Sequence, residues 1–201
     1  MADDPGNKKE TSAKRHEMKY LLDNEETARI RFRLVERSDF KQWLPFFVEP
    51  ESFQYWNMRH QSPEVECSQW YDKQLERYKN DTGGMNALIE KSSGKLIGHC
   101  GLLVQNVDNR VELEVGYSLL PSFWRKGYAS EAAMKCRDVA FEHSYSPSLI
   151  SIISLTNIPS ARVAEKNGMT IDKQTVYNDN YVNIFRISFD QWQERRKEQS
   201  N

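Results

Sequence analysis

The residues best suited to chemistry lie between Glu112 and Glu142, centred on Trp124-Arg125-Lys126-Gly127-Tyr128-Ala129. Upstream, Val111, Leu113, Val115 and Leu119 alternate with Glu112, Glu114, Gly116 and Ser118, the period of a strand. Downstream, Ala129, Ala132, Ala133, Cys136 and Ala140 recur at helical spacing. A strand therefore passes through a short, basic, glycine-containing loop into a helix. The first N–H groups of a helix lack intrahelical partners and lie at the positive end of its dipole. Arg125 and Lys126 add full charge there, so the joint suits an anion, a phosphate or pyrophosphate. Glycine also serves many α/β proteins merely to turn from sheet into helix, and these residues alone leave both readings open.

The flanking chain supplies the elements that would position this loop. Ile30, Phe32 and Leu34 alternate with Arg29, Arg31 and Arg33, predicting a strand over Ala28 to Val35. Ser38 is a candidate N-cap for a helix over Asp39 to Phe46, followed by an irregular aromatic run to Trp56. Ser62-Pro63-Glu64 opens a second helix, which ends at Asp81 to Gly84. Met85 to Lys91 and Lys95 to Val104 form a hairpin about Ser92-Ser93-Gly94. Leu149 to Thr156 is β-branched and extended; Asn157-Ile158-Pro159-Ser160 opens a short helix closed by Gly168. Two strands, Thr170 to Tyr177 and Tyr181 to Phe189, complete the order β-α-α-β-β-β-α-β-α-β-β. This predicts one α/β (α+β) domain with a mixed sheet of about seven strands and helices on both faces. We expect the domain over residues 27–192, a polar and at least partly disordered tail over 1–26, and a polar C-terminal tail over 193–201.

A chain of 201 residues can bury one full core. Its net charge of −1, with both signs intermixed, offers no basic field for nucleic acid. Cys67, Cys100 and Cys136 are odd in number and lack metal-ligand spacing; Cys100 and Cys136 read as small core residues. No apolar run has membrane-spanning length, and Met1 to Glu17 lacks the apolar core of a signal peptide. The expectation is a cytoplasmic protein without metal, membrane or nucleic-acid partner, either a monomer or a homodimer.

Four stretches, in this order and at this spacing, resemble the GNAT superfamily of N-acetyltransferases over roughly Thr27 to Trp192. They are Ile97-Gly98-His99-Cys100-Gly101-Leu102, Glu114-Val115-Gly116-Tyr117, Trp124 through Ala132, and Asn157 through Gly168. The branch they are most similar to contains the ribosomal-protein N-terminal (alanine/serine) acetyltransferases. The superfamily's phosphate motif begins with Gln or Arg, and Trp124 stands there, as is common in that branch. Arg125 fills a place often held by glycine.

The resemblance implies acetyl-CoA as acyl donor and a primary amine as acceptor, a protein or peptide N-terminus ahead of a small amine. The amine would attack the thioester directly. Ser118, Leu119 and Leu120 would pair, strand-like, with the pantetheine arm, and a backbone N–H near Leu119 would polarise the thioester carbonyl. Trp124, Arg125, Lys126, Gly127, Tyr128, Ala129 and Ser130 would hold the pyrophosphate. Many relatives carry a tyrosine acid where Ala164 stands, which leaves Ser160 to donate to the departing sulfur; Asn157 would bind the pantetheine arm. Arg162 and Lys166 would reach the adenosine phosphates or form a solvated helix face. An alkylamine is mostly protonated at neutral pH and needs a base. Glu114, on the polar side of the central strand, is the first candidate and His99 the second. Set against these roles, Glu114 could pair with a neighbouring cation, Ser160 could satisfy backbone donors in a first helical turn, and Asn157 could be a turn residue. Acceptor choice would lie in the loops Pro50 to Arg59 and Asn178 to Tyr181. The competing reading is a non-catalytic acyl-CoA-binding regulatory module of the same fold.

Overall fold

Ile30 and Phe32, the apolar half of the first alternation, are fully buried in strand β1 (Ile30–Leu34). The computed structural model describes residues 18–56 and 61–199, and β1 forms one edge of a seven-stranded sheet ordered β1-β2-β3-β4-β5-β7-β6. The other strands are β2 (Gly83–Glu90), β3 (Leu96–Val107), β4 (Arg110–Leu119), β5 (Ser148–Ser154), β6 (Thr170–Tyr177) and β7 (Asn180–Ser188). Every pairing is antiparallel except β4 with β5, which the crossover through helix α5 (Tyr128–Glu142) makes parallel; β2–β3, β3–β4 and β6–β7 are hairpins. The mixed α/β sheet expected from the order of elements is therefore present.

The small residues of α5 explain how closely it lies on the sheet. Ala132, Ala133, Cys136 and Ala140 are all fully buried beneath it with Leu102, Leu113 and Val115. Cys100 on β3 and Cys136 on α5 are free thiols with sulfurs 3.5 Å apart. The opposite face is covered by α1 (Phe40–Trp43), α2 (Pro45–Val48), α3 (Pro50–Phe53) and α4 (Pro63–Lys79), which bury Trp43, Phe46, Phe47, Trp70 and Tyr71. Ser62 caps α4 by accepting the Val65 N–H, as its sequence predicts. At the far edge the sheet curls back: Asp108, in the β3–β4 turn, accepts bonds from Lys173 (2.6 Å) and Thr175 (2.9 Å) of β6.

Around the first helices the structure departs from expectation. The helix over Asp39 to Phe46 breaks at Trp43, because Pro45 has no N–H to continue it and instead opens α2. The preceding 3-10 turn, Arg37–Asp39, is capped at Glu36 rather than at Ser38; the Asp39 carboxylate accepts the Glu36 N–H and pairs with Arg33. The aromatic run after Phe46 is correspondingly two proline-initiated turns, not irregular chain. Residues 193–199 continue a helix, α7 (Phe189–Gln199), anchored by buried Trp192 against Phe141 and Phe189. At the other end, order begins before Thr27: Leu22 is buried and its N–H donates to Asn86 Oδ1 at 3.0 Å. The tail over residues 1–17 lies outside the described residues.

His99 is enclosed on the α1–α4 face, with Trp43 edge-on at 4.3 Å and Trp70 at 4.4 Å. Neither ring nitrogen has a partner among the described residues. Burial, and secondarily the charge of Arg33, hold its pKa well below 6.5. The unfolded chain therefore takes up a proton that the folded chain refuses, and stability falls as pH drops below about 6.5. Urea titrations stepped between about pH 5 and 6.5 should show a slope approaching about 1.4 kcal/mol per pH unit from this residue. That contribution should vanish in His99→Gln; an unchanged slope would refute it.

Candidate active site

The loop before α5 owes its shape to two residues of positive φ. Arg125 sits at φ 59° and Gly127 at φ 84°, both in the left-handed region. The arginine thus adopts a conformation that costs a non-glycine residue about 1–2 kcal/mol. Glu131 makes the first intrahelical bond, to the Gly127 carbonyl at 3.0 Å. The Tyr128, Ala129 and Ser130 N–H groups precede it in the first turn, and no side chain caps the helix. Arg125, Lys126 and Gly127 are exposed beside them. Trp124 points elsewhere: its indole N–H donates to the Leu119 carbonyl at 2.8 Å and its ring packs on the core. Tyr128 is buried, with its hydroxyl donating to Glu90.

Arg29 braces this loop, a role without any local mark in the sequence, where it reads only as a polar residue beside a strand. Its guanidinium donates to the Lys126 carbonyl at 2.9 Å and to Glu131 at 2.7 Å, and lies 4.3 Å over the Tyr128 ring. Glu131 also accepts from Thr27 and from the Arg29 backbone.

Ahead of the loop, β4 and β5 share a single paired position, Glu114 with Ile150, and then part. Two side chains bridge the strands at the parting. Ser151 Oγ donates to the Val115 carbonyl at 2.8 Å. The Ile152 N–H faces the Glu114 carboxylate and favours its ionised form. Beyond this point, the alternation of the β3–β4 ladder decides which backbone groups face the gap. Leu120 donates to Ile97 on β3, so Leu119 and Tyr117 direct their N–H and C=O groups away from β3, toward β5. Ser118 and Leu120 direct theirs to β3. Of Leu119's two groups the carbonyl is held by Trp124, leaving the N–H for the gap. The Ser118 hydroxyl is buried without a partner among the described residues, on the face shared with His99.

Glu114 sits where the strands divide, on the α4 side of the sheet. Gln105 Nε2 donates to its carboxylate at 2.6 Å. Burial raises its pKa, and the bonds from Gln105 and Ile152, with the charges of Arg77 and Lys73, oppose that rise without cancelling it. Arg77 does not pair with it, donating instead to the carbonyls of Thr82 (3.0 Å) and Val104 (2.7 Å). A carboxylate in this condition is a stronger base than an exposed one.

The other wall of the gap is the first turn of α6 (Ile158–Lys166). Asn157 is its N-cap, Oδ1 accepting the Ser160 N–H at 3.1 Å. Tyr117 crosses from β4 to donate to the Ser160 carbonyl at 2.7 Å, tying the turn to the strand end. Ser160 is half-buried, whereas Arg162 and Lys166 are exposed on α6, and Ala164 is fully buried. Glu114 and Ser160 thus approach the gap from opposite faces of the sheet, and His99 is enclosed away from solvent. The two stretches expected to select an acceptor meet directly, Asn180 Nδ2 donating to the Tyr55 carbonyl at 3.2 Å. Positions 57–60 of the first lie outside the described residues. No group of three or more His, Cys, Asp or Glu poised for a metal occurs among the described residues. None of their helices is long and apolar enough to cross a membrane.

A parted parallel strand pair, followed by an uncapped helix behind a basic loop, forms a site for an extended ligand with an anionic group, and comparison with known proteins gives the family. Residues 29–170 match the acetyltransferase (GNAT) domain model. The chain belongs to the GNAT acetyltransferase family. It is 30% identical over 151 residues to the uncharacterized protein YkkB of Bacillus subtilis (strain 168), covering 73% of this chain and 85% of that one. An acetyltransferase from Agrobacterium tumefaciens C58 superposes with a TM-score of 0.71 at 26% identity, covering 83% of this chain and 94% of that one. RimL, a ribosomal L7/L12 alpha-N-protein acetyltransferase solved with coenzyme A, shares the fold with a TM-score of 0.67 at 14% identity, over 84% and 98% of the two chains.

Proposed function

We propose that this chain is an acetyl-CoA-dependent N-acetyltransferase whose acceptor is the α-amine of a protein or peptide, with a small amine as the alternative acceptor. The observation that carries it is the gap opening at Glu114 between β4 and β5, with the uncapped start of α5 beyond its end. The pyrophosphate would rest on the N–H groups of Tyr128 to Ser130, with Arg125 and Lys126 supplying charge, and the pantetheine arm would follow the gap past Leu119, Tyr117 and Asn157. Glu114 takes a proton from the acceptor ammonium, and the free amine attacks the thioester carbon. The Leu119 N–H stabilises the resulting oxyanion. The carbon–sulfur bond then breaks, the departing thiolate accepts a hydrogen bond from the Ser160 hydroxyl, the acetylated amine loses its remaining proton to water, and Glu114 releases its proton to solvent. The acceptor class is supported by the likeness to RimL and by Trp56 and Tyr181, exposed aromatic rings near the Tyr55–Asn180 contact that could flank a peptide. The same reading makes it a cytoplasmic protein, monomer or homodimer, that needs no metal, membrane or nucleic acid.

Calorimetric titration with acetyl-CoA, followed by thiol release against a panel of N-terminal peptides, polyamines and aminoglycosides, tests this directly. Absence of acetyl-CoA binding would overturn it. Binding without thiol release for any acceptor would favour the regulatory module, a reading to which the buried Ala164 in the tyrosine's place belongs.

Arg29 gives a more local test. Without it the loop must be ordered by the ligand itself, at about 1–2 kcal/mol per residue fixed. Arg29→Ala should therefore weaken acetyl-CoA binding by about tenfold while leaving kcat at saturation nearly unchanged. A change in kcat with unaltered affinity would contradict the bracing role.

A further inference from the structure

Glu114 is faced from four other elements: Gln105 on β3, the Ile152 N–H on β5, Arg77 and Lys73 on α4, and Tyr177 on β6. Among the described residues only Gln105 gives it a side-chain hydrogen bond. The amide of Gln105 is itself fixed, because Tyr177 Oη donates to Oε1 at 3.0 Å while Nε2 donates to the carboxylate at 2.6 Å. A flipped amide would turn its carbonyl oxygen onto the carboxylate and lose the attraction at that end. The contact depends on the curl of the sheet. Gln105 and Glu114 are diagonal neighbours across the β3–β4 pair, but Tyr177 reaches them only because the β6 edge is drawn to the β3–β4 turn through Asp108.

The type of donor matters. A guanidinium paired with Glu114 would hold the carboxylate ionised and make it a poor base. Arg77 is close enough for its charge to be felt, yet its hydrogen bonds go to two backbone carbonyls. A neutral amide instead orients the carboxylate with much less loss of basicity. We propose that Gln105, locked by Tyr177, is a positioning residue that holds the Glu114 carboxylate at the β4–β5 gap in the orientation for taking the acceptor's proton. This rests on Glu114 being the base.

The test pairs a catalytic readout with one that needs no turnover. The carboxyl carbon of Glu114 is followed by 13C NMR against pH in selectively labelled enzyme, assigned with Glu114→Gln, and the pH profile of kcat/KM is measured alongside. Gln105→Leu removes the donor; Tyr177→Phe keeps the ring and removes only the lock. Losing a donor to the ionised form favours the protonated one, so both the NMR midpoint and the acid limb should move to higher pH. A one-unit move appears as about a tenfold loss of kcat/KM on the acid side that recovers at higher pH. Tyr177→Phe should move both midpoints in the same direction by less. The double variant should match Gln105→Leu, since Tyr177 acts only through Gln105. An unmoved NMR midpoint in both single variants would overturn the proposal whichever group is the base. If the NMR midpoint moves while the rate profile does not, Glu114 is not the base, and the catalytic role of Gln105 falls with it.

Discussion

Glu114→Gln should lower kcat/KM for the amine acceptor by about 10²–10³-fold near neutral pH, within the range for loss of a general base, with acetyl-CoA affinity unchanged. The shape of the loss is more telling than its size. With Glu114 as the proposed base, its raised pKa should set an acid limb in the native protein, below which it is protonated and the rate falls. The glutamine has no such limb. Its rate should simply follow the fraction of acceptor already present as free amine, which grows toward the amine's own pKa. The deficit should therefore narrow steadily as pH rises. Thiol release measured across the pH range in both proteins checks this, and parallel profiles would remove Glu114 from the base role. Glutamine keeps the carboxylate's shape and its carbonyl oxygen can still accept from Gln105, so a folding defect is not the expected cause of the loss.

Gly127 carries the second large effect. Its φ of 84° belongs to glycine, and a Cβ added there would lie 3.3 Å from the Arg29 guanidinium. Asn and Asp tolerate this conformation better than other side chains and are close in size, so the pair separates strain from charge. Gly127→Asn should weaken acetyl-CoA binding modestly, by about tenfold, through strain at the loop and crowding of Arg29. Gly127→Asp places a carboxylate beside the proposed pyrophosphate site and should cost about a further 10–100-fold, since two like charges at such range repel by one to several kcal/mol near a surface. The added loss should shrink in high salt, where an exposed pair is screened. Calorimetry at two ionic strengths measures both quantities. Equal affinities for the Asn and Asp variants would show that no anion binds at this loop.

The two positions differ in how they announce themselves. Gly127 could be read directly: strand alternation through Leu119, a basic pair, one glycine and a small-residue helix face are local patterns, and together they position the loop. The cap at Ser62, the hairpin about Gly94 and the helix opened by Asn157 are legible for the same reason, because each depends on residues within one turn of one another. Even the error at Pro45 was local. The proline removes one N–H, and the aromatic-rich run around it obscured that simple rule.

The sequence marks Glu114 as a polar residue of the central strand and, through the resemblance, as the first candidate base, but shows nothing of its surroundings. It does not say that Gln105 would hold it or that Arg77 would spend its hydrogen bonds elsewhere. Arg29 beneath the loop, Tyr117 tying β4 to α6 and Ser151 filling the place of a ladder donor are equally silent, each an ordinary residue in an ordinary local pattern. These contacts join residues 36 to 102 positions apart, such as Ser151 with Val115 and Arg29 with Glu131. They exist only once the sheet has curled and β4 has parted from β5. By itself the sequence determined the order of elements, the family they resemble and the loop suited to a phosphate, because short-range patterning and backbone sterics act within a few residues. The tertiary structure decided which carboxylate is desolvated, what orients it and where the gap opens, because burial and long-range hydrogen bonds are properties of the assembled sheet.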